Sequence, residues 1–562
     1  MGIYDSRPWL QHYEKGQPHD LQTDSATMLD VWQESVRTAP ERDAIRYFDR
    51  SISVRELDEL SSAFAVALAD RGVSRGDRVG IYLQNVPQFV IAMLATWKIG
   101  AVAVSINPMN KHRELATLLT DSGATALVCL ENLHGIVAEV VADTSVRTVV
   151  TTSEFEYQSR DDARAFPQGR AGRPTGTEDM GELVEANRGR APEPVALSPE
   201  DTAILTYTSG TTGPPKGAMN SHANVVFNAR TYRHWCHLGG EDVVLGVAPL
   251  FHITGLIGHV AVALLNPCPL VLTHRFDPGL VADAVDEHRV SFTIGSITVF
   301  IALMNSEDVA AEKLSTMSKI YSGGAPIPPS TVRNFQDRFG HYIHNFYGLT
   351  ETNSPSHGVP FGAEAPVDTD SGALSVGVPV FNTVVWILDE EGNEVPPGEV
   401  GEIVTAGPQV VSGYWNKPEE TANAFPEGAL HTGDVGYMDA DGWFYLVDRK
   451  KDQINASGYK VWPREVEDVL YEHDAVREAA VVGVADPYRG ESVKAFVSLR
   501  AGHGTEPAEL VAFCRERMAA YKYPREVEVL EELPKTLTGK LLRRELRNRE
   551  PGGEAMPNKT PG

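Results

Sequence analysis

The sequence is poor in the features that mark secreted and membrane-spanning proteins. Its four cysteines form neither a CxxC pair nor a Cys/His metal pattern, so reduced thiols in a cytoplasmic protein are expected. The stretch from Met1 to Leu10 lacks the apolar core of a secretory signal. Lys98, Pro267 and Pro269 interrupt the longest apolar runs, so no stable membrane insertion is expected.

Basic residues are also in deficit. The chain has 76 Asp and Glu against 50 Lys and Arg, a net charge of −26. That balance disfavours nucleic acid and anionic membranes as general partners, although a local basic pocket can still bind phosphates. With 562 residues, 42% of them hydrophobic, the chain is expected to fold into at least two globular domains.

What the sequence does contain is a ten-residue stretch of mainly Gly, Ser and Thr, from Thr208 to Gly217. The run from Thr202 to Tyr207 predicts a strand before it, and Ser221 to Arg230 can form a helix after it. Such a loop offers backbone N–H groups, hydroxyls and the cation of Lys216 to a polyphosphate. It is not a Walker A loop, because Pro215 stands where that motif needs glycine.

The rest of the chain alternates helical and strand patterns before residue 130 and again from 241 onward. This alternation predicts an α/β fold with doubly wound parallel sheets. Short strands and turns over about 372–447 indicate a β-rich subdomain, and an α+β domain follows a charged stretch at 448–452. Residues 157–200, rich in Arg, Gly and Pro, predict an exposed connection.

Five further segments combine residue types that suit a nucleotide-dependent reaction. In the segment Asn345–Thr352, an aromatic ring can stack on a base, a hydroxyl can bond a phosphate and a carboxylate can hold Mg²⁺. Taken alone, each segment has a purely structural explanation. Ser322–Pro326 and Thr432–Asp434 can be turns, Tyr347 a core aromatic, His252 a structural histidine, and Pro534–Lys540 a basic surface loop. The segments are Pro249–Gly255, Ser322–Pro326, Asn345–Thr352, Thr432–Asp434 and Pro534–Lys540.

In order and spacing these segments and the loop resemble the adenylate-forming enzymes, which include acyl-CoA synthetases, non-ribosomal adenylation domains and firefly-type luciferases. The resemblance implies a large ATP- and acyl-binding domain with a distorted-barrel subdomain, and a small mobile lid domain. It also implies a monomer or a homodimer. The expected boundaries are 1–448 for the large domain, 449–452 for the hinge, 453–549 for the lid and 550–562 for a disordered tail.

The resemblance assigns roles residue by residue. Lys540 is the adenylation lysine, Thr350 contacts the α-phosphate, Glu351 binds Mg²⁺, and His252 gates the acyl site as a positioning residue. The residues implied for ATP and CoA are Thr208, Ser209, Gly210, Thr211, Thr212, Gly213 and Lys216 at the phosphates, Gly323, Gly324, Ala325, Pro326, Asn345, Phe346, Tyr347 and Gly348 at the adenine, Asp434 and Arg449 at the ribose, and Lys451, Ser457, Gly458 and Tyr459 at the hinge and thiol site.

For the acyl group, the resemblance implies a pocket lined by residues that carry no fixed charge. An uncharged lining predicts a hydrophobic acid, and fatty, aryl and polycyclic terpenoid acids all stay open. The chain departs from relatives at Ser296–Thr298, which lacks a usual proline, and at Asn455 and Ser457, where some relatives have lysines. The pocket residues are Phe251, His252, Ile253, Thr298, Val299 and Phe300.

The predicted function is an ATP-dependent acid–CoA ligase, which forms acyl-AMP and pyrophosphate and then transfers the acyl group to CoA. A stand-alone adenylating enzyme that passes acyl-AMP to a carrier protein stays open as well. Amino-acid adenylation domains, however, hold the substrate amine with an aspartate where this chain has His252. A luciferase-like oxidoreductase and a non-catalytic relative also stay open. The residues that argue against a non-catalytic protein are Lys216, Glu351, Asp434 and Lys540.

Overall fold

The computed structural model describes residues 2–23, 26–170, 172–208, 215–369, 372–449, 452–456, 459–486, 490–536, 541–547 and 549. The first part of the chain alternates helices and strands as its sequence predicts. Side chains fix the helix starts: Thr27 and Asp30 form a capping box, and Ser53 caps the second helix. These elements are α1 (Met28–Thr38), β1 (Asp43–Tyr47), β2 (Arg50–Ser53), α2 (Val54–Asp70), β3 (Arg78–Tyr82), α3 (Pro87–Lys98), β4 (Val102–Ser105), α4 (His112–Ser122), β5 (Ala126–Leu130), α5 (His134–Val140) and β6 (Thr148–Thr152).

The middle part continues the alternation and ends in short strands. Its elements are β7 (Glu178–Asp179), α6 (Met180–Ala186), β8 (Thr202–Thr208), β9 (Lys216–Ser221), α7 (His222–Trp235), β10 (Val244–Leu245), α8 (Ile253–Gly255), a π-helix (Leu256–Ala261), α9 (Val262–Leu265), β11 (Leu270–Leu272), α10 (Pro278–His288), β12 (Phe292–Gly295), α11 (Ile297–Asn305), β13 (Lys319–Ser322), α12 (Pro329–Phe339), β14 (Ile343–Tyr347), β15 (His357–Gly358) and β16 (Val378–Pro379).

The last part is richer in strands. Its elements are β17 (Val384–Leu388), β18 (Gly401–Ala406), α13 (Pro418–Ala424), β19 (Leu430–Met438), β20 (Phe444–Arg449), β21 (Ile454–Ala456), β22 (Tyr459–Val461), α14 (Pro463–Tyr471), β23 (Val476–Asp486), β24 (Gly490–Leu499), α15 (Pro507–Arg517), β25 (Glu526–Val529) and α16 (Arg543–Arg547).

Two large sheets form the body of the chain. Within the described residues one has the order β7-β6-β5-β3-β4-β8-β9, and the other β16-β15-β14-β13-β12-β10-β11-β1-β2. The inner pairs are parallel, and antiparallel strands lie at both edges of the second sheet and at the β9 edge of the first, whereas β7 at its other edge is parallel to β6. Helices α2, α3 and α7 contribute fully buried side chains to the main core. The predicted doubly wound α/β fold is therefore confirmed.

Two predictions about this body need correction. The helix predicted over Ser221 to Arg230 is confirmed as α7, but the strand β9, which pairs antiparallel with β8, lies between the phosphate loop and this helix and was not predicted. The prediction of an exposed connection over residues 157–200 is wrong in part, since β7 pairs with β6 and α6 packs against α2. Met180 and Val184, four positions apart on α6, are both buried, which anchors this helix to the core.

The β-rich subdomain and the small domain follow. Strands β17 to β20 form an antiparallel sheet in chain order, while β22, β21, β24, β23 and β25 form a mixed sheet with its own apolar core. Asp452, at the predicted hinge, pairs with Arg547 of α16 at 2.8 Å. Arg464 of α14 donates to the Leu446 carbonyl of β20 at 3.2 Å, linking the two sheets. None of the helices in the described ranges is both long and apolar enough to span a bilayer.

Candidate active site

Four stretches that contain predicted site residues lie side by side along one edge of the second large sheet. They follow β10, β12, β13 and β14, which are adjacent and parallel. Parallel strands end at the same edge, and open α/β sheets bind ligands there. Segments that are up to a hundred residues apart in the chain are thus brought together by topology alone. The segments are Gly246–His252, Ser296–Phe300, Gly323–Pro326 and Gly348–Glu351.

The β-rich subdomain adds Asp434 to this edge. The hydroxyl of Tyr347, the last residue of β14, donates a hydrogen bond of 2.9 Å to Oδ2 of Asp434. The backbone N–H of Asp434 donates to Oγ1 of Thr432 at 3.1 Å. Gly433 between them has φ +69°, a conformation that favours glycine. In the strand register Asp434 lies opposite Arg449, so the two predicted ribose residues are neighbours.

The predicted adenine wall is built on a close approach between strands. A Cβ on Gly323 would lie 2.8 Å from the carbonyl oxygen of Phe346, and Gly324 has φ +82°. Ala325 is half-buried and Pro326 exposed. Asn345 is buried and donates to the Ser375 carbonyl at 3.1 Å. Small residues here leave backbone accessible at the sheet edge, which suits a flat ring.

The side chain of Phe346 requires a correction. Strand alternation turns it away from Tyr347, and its ring stacks on Tyr321 at 4.3 Å in the main core. Gly358 leaves room for it, because a Cβ there would lie 2.3 Å from the ring. Phe346 is therefore a core residue through its side chain, and only a backbone contact with a nucleotide stays a prediction.

Glu351 lies in a short 3-10 helix, Thr350–Thr352, directly after β14. Its Oε1 accepts a hydrogen bond of 2.8 Å from the hydroxyl of Tyr414. Within the described part of the chain, its Oε2 accepts none. The Thr350 carbonyl is fixed by the side-chain amide of Asn220 at 3.2 Å, which holds this helix in place beside the sheet edge.

A carboxylate with one open oxygen fits Mg²⁺. This ion is usually held by one or two carboxylates together with substrate phosphates and water. The described residues contain no group of three or more His, Cys, Asp or Glu side chains placed to hold a metal. Glu351 therefore suits a Mg²⁺ that arrives with a nucleotide better than a resident metal.

Tyr414 also contacts Lys216, the first residue of β9 after the phosphate loop. The Nζ of Lys216 lies 5.0 Å from the centre of the Tyr414 ring, within the range of a cation–π interaction. Burial and the Glu351 carboxylate raise the pKa of the Tyr414 phenol well above its usual range. The hydroxyl consequently stays protonated and donates. The sequence prediction missed Tyr414, since an aromatic residue after a glycine is common in turns and cores.

Several predicted residues lie wholly or partly outside what the structure describes. The backbones of Arg449 and Tyr459 belong to β20 and β22, and their side chains are outside the described part. Their assigned roles stay predictions. The residues wholly outside are Ser209, Gly210, Thr211, Thr212, Gly213, Lys451, Ser457, Gly458 and Lys540.

The loop that carries Phe251 and His252 is held from behind by Asn85. The Asn85 side chain donates to the carbonyls of Gly246 and Ala248 at 2.9 and 3.0 Å and accepts from the N–H of Leu250 at 2.9 Å. His252 is half-buried, and its Nδ1 accepts from the Thr254 N–H at 3.3 Å. This geometry is consistent with a positioning role for His252.

The acyl-side predictions divide into two groups. Phe251, His252, Thr298 and Val299 are half-buried at the sheet edge. Phe300 is instead fully buried in a second apolar core, which also contains Ile297, Leu303 and Phe335, and its ring centre lies 5.6 Å from that of Phe335. Ile253 is also buried. The side chains of Phe300 and Ile253 therefore belong to the cores, and the acyl pocket itself stays a prediction.

Family models match most of this chain. A model described as AMP-binding enzyme matches residues 32–415, and one described as AMP-binding enzyme C-terminal domain matches residues 465–540. The chain belongs to the AMP-binding enzyme family. The second match covers much of the small domain, and the first covers both large sheets together with Glu351 and Tyr414.

Individual relatives agree with the family. A long-chain-fatty-acid–CoA ligase of Bacillus subtilis is 34% identical over 98% of this AMP-binding enzyme and 99% of the relative. The anthranilate CoA ligase AuaEII in complex with anthranoyl-AMP superposes with TM-score 0.84 at 25% identity, covering 94% and 98% of the two chains. ATP-bound MatB from Rhodopseudomonas palustris gives 0.83 at 28% identity, covering 94% and 99%. The predicted class, ATP-dependent acid–CoA ligase, is confirmed.

Proposed function

We propose that this AMP-binding enzyme activates a largely apolar monocarboxylic acid as acyl-AMP and transfers the acyl group to CoA. The observation that supports this substrate class is the surface of α11. The helix carries no charged residue. Ile297, Phe300 and Leu303 are buried in the second core, and the half-buried Val299, Ile301 and Met304 pack against that core while keeping part of their apolar surface exposed.

The N-terminal end of α11 faces the loop of His252. A Cβ on Gly295 would lie 3.1 Å from Val247 and 3.6 Å from Val299, so the absence of a side chain at Gly295 lets these two valines pack closely at the sheet edge. Thr298 shares a hydrogen bond of 2.7 Å with Ser296, which leaves its hydroxyl engaged. An apolar acyl chain gains from burial against such a surface, at about 0.8 kcal/mol per CH₂.

In the first half-reaction the acid's carboxylate oxygen attacks the α-phosphorus of ATP, and the bond to pyrophosphate breaks. Asp434 binds the ribose hydroxyls, Tyr347 borders the adenine, and Thr350 contacts the α-phosphate. Glu351 would hold Mg²⁺, which neutralises phosphate charge when bound. Lys540 supplies a cation to the developing negative charge. These roles are proposals supported by the shared edge at which the described residues meet.

In the second half-reaction the CoA thiol attacks the acyl carbonyl, and AMP leaves with the electron pair of the mixed anhydride bond. We propose that the small domain rotates about Lys451 between the two steps, bringing Gly458 and Tyr459 to the site. The separate apolar core of the small domain supports rigid-body motion.

We also propose a location and an oligomeric state. All four cysteines are free and buried, which supports a reducing, cytoplasmic location. The proposed oligomeric state is a monomer or a homodimer.

A panel of acids tests this function. The enzyme is incubated with ATP, Mg²⁺, CoA and one acid, either short or long fatty, aryl or polycyclic, or an amino acid, and the products are measured by mass spectrometry. We expect acyl-CoA from apolar monocarboxylic acids and little from acetate or amino acids. If acetate or an amino acid is the best substrate, the proposal that the acyl site is an apolar pocket is wrong. If acyl-AMP accumulates without thioester, a carrier protein is the acceptor.

A further inference from the structure

A short segment, residues 411–415, joins the strand behind the phosphate loop to the rest of the site. The N–H of Met219 on β9 donates to the Gly413 carbonyl at 3.0 Å, and the N–H of Trp415 donates to the Gly217 carbonyl at 2.8 Å. The segment thus extends the edge of the first large sheet next to β9. It fixes the backbone at the position where the chain leaves the phosphate loop.

The same segment also holds the residue predicted to bind the cation. The N–H of Val411 donates to the Glu351 carbonyl at 2.9 Å. The Tyr414 hydroxyl then donates to the Glu351 carboxylate at 2.8 Å. Glu351 is therefore contacted through both its backbone and its side chain by residues three positions apart. The hydrogen bond from Tyr414 fixes the orientation of the Glu351 carboxylate through Oε1. Within the described residues, Oε2 accepts no hydrogen bond.

Tyr414 is itself held by several contacts. Its side chain is buried, packs 5.6 Å from the Phe425 ring and belongs to a small apolar cluster. Its N–H donates to Oγ1 of Thr421 at 2.9 Å, and that hydroxyl donates to the Lys417 carbonyl. A ring fixed in this way keeps its hydroxyl and its face in place without help from a ligand.

Two charges of opposite sign thus meet one neutral ring. The Glu351 carboxylate contacts the hydroxyl at the ring edge, and the Lys216 ammonium lies over the ring 5.0 Å from its centre. Tyr414 contacts both charged groups, and the described residues show no direct ion pair between Glu351 and Lys216. Each then stays available to a polyphosphate and its cation.

The geometry points to Tyr414 as a positioning residue that aims Glu351 at the cation and Lys216 at the phosphates of the bound nucleotide. This inference rests on the proposed function, because it takes Glu351 as the Mg²⁺ ligand and Lys216 as a phosphate ligand. The hydroxyl serves the first role and the ring face serves the second. The two roles are therefore separable by substitution.

The test uses the full chain with Tyr414→Phe, which keeps the ring, and Tyr414→Leu, which removes it. ATP binding is measured by calorimetry over a series of Mg²⁺ concentrations, without acid or CoA. We expect Tyr414→Phe to raise the Mg²⁺ concentration needed for half-maximal ATP affinity roughly tenfold, the effect of losing one hydrogen bond to a charged group. Tyr414→Leu should in addition weaken ATP binding at saturating Mg²⁺.

The matched control is Tyr445→Phe, which removes a buried tyrosine's 3.2 Å hydrogen bond to Asp439 away from the nucleotide segments. It should leave the Mg²⁺ requirement unchanged. Combining Tyr414→Phe with Glu351→Gln should add nothing to the effect of Glu351→Gln alone, since Tyr414 acts through that carboxylate. Full additivity of the two changes overturns this coupling.

The outcomes separate this inference from the function on which it rests. An unchanged Mg²⁺ requirement in folded Tyr414→Phe, when Glu351→Gln does change it, overturns the role of the hydroxyl. An unchanged requirement in Glu351→Gln itself overturns the assignment of the cation site. Equal ATP affinity of Tyr414→Phe and Tyr414→Leu at saturating Mg²⁺ overturns the role of the ring toward Lys216.

Discussion

The hydroxyl of Tyr347 donates a 2.9 Å hydrogen bond to the carboxylate of Asp434, although 87 residues separate them in the chain. Tyr347 ends a strand of the second large sheet, and Asp434 lies on a strand of the β-rich subdomain. One contact therefore joins the predicted adenine and ribose positions. It also fixes the β-rich subdomain against the edge where the other site segments meet.

Replacing Asp434 by alanine should weaken ATP binding roughly ten- to a hundredfold, because one or two hydrogen bonds from ligand hydroxyls to a nearly buried carboxylate are lost. The fold should persist, as measured by circular dichroism, and ATP affinity is measured by calorimetry. Asp389→Ala is the control, since Asp389 caps an exposed turn of the same subdomain. Unchanged ATP affinity in folded Asp434→Ala would remove Asp434 from the site.

Val299 and Phe300 are adjacent in sequence but should respond oppositely to substitution by alanine. Phe300 is buried in the second core, so Phe300→Ala should lower the free energy of unfolding by about 3–5 kcal/mol, the usual cost of truncating a core phenylalanine. Val299→Ala should cost less than about 1.5 kcal/mol but shift the relative kcat/KM among acids of different size.

Urea unfolding and a competition between two acids measure the two effects. A Val299→Ala variant with unaltered acid preference would contradict the proposed pocket wall. A Phe300→Ala variant that is fully stable but changes acid preference would restore Phe300 to the pocket and contradict its core assignment.

Substitutions at the hinge and at Lys540 should separate the two half-reactions. Lys540→Ala should abolish ATP–pyrophosphate exchange while largely sparing CoA thioester formation from preformed acyl-AMP. Lys451→Pro should do the reverse, since proline fixes φ and blocks rotation. Lys522→Ala is the control, because Lys522 pairs with Glu465 inside the small domain. Equal loss of both half-reactions in folded Lys540→Ala would argue against two domain orientations.

The buried histidines should make the chain less stable in mild acid. Burial lowers the pKa of His222 from 6.5 to about 4. Between these values the unfolded chain binds a proton at His222 that the folded chain does not, so the contribution of His222 to the free energy of unfolding falls as pH drops below 6.5 and levels off near 4. The expected slope is up to about 1.4 kcal/mol per pH unit; above 6.5 the effect vanishes.

Urea unfolding at several pH values between 4.5 and 7.5 measures this slope. In His222→Phe the slope of the free energy of unfolding against pH should decrease by the contribution of one proton, up to about 1.4 kcal/mol per pH unit. The remaining slope comes from other buried histidines, such as His259 and His357, whose pKa burial lowers to about 3. An identical slope in the parent chain and in His222→Phe would contradict the assignment.

Much of the fold was predictable because its signals are local. The alternation of helical and strand patterns before residue 130 and from 241 onward correctly predicted the two largely parallel sheets, and the short strands over about 372–447 correctly predicted the β-rich subdomain. Where local signals mislead, tertiary pairing decides. The residues from Lys216 to Ser221 lack a strong strand pattern and form β9 because β8 offers an open edge. Met180 and Val184 looked like part of a polar linker until α2 supplied a surface on which to bury them.

The sequence by itself determined the order of elements, the uncharged α11 and the residue types of every predicted segment, since these depend on composition and short-range spacing. Only the tertiary structure decided which side chains meet. Alternation along β14 stacks the Phe346 ring on Tyr321 and directs the Tyr347 hydroxyl to Asp434, although both side chains are buried. The contact of Tyr414 with Glu351 spans 63 residues. Such contacts depend on strand order and register, which are set by the packing of whole sheets and leave no local pattern in the chain.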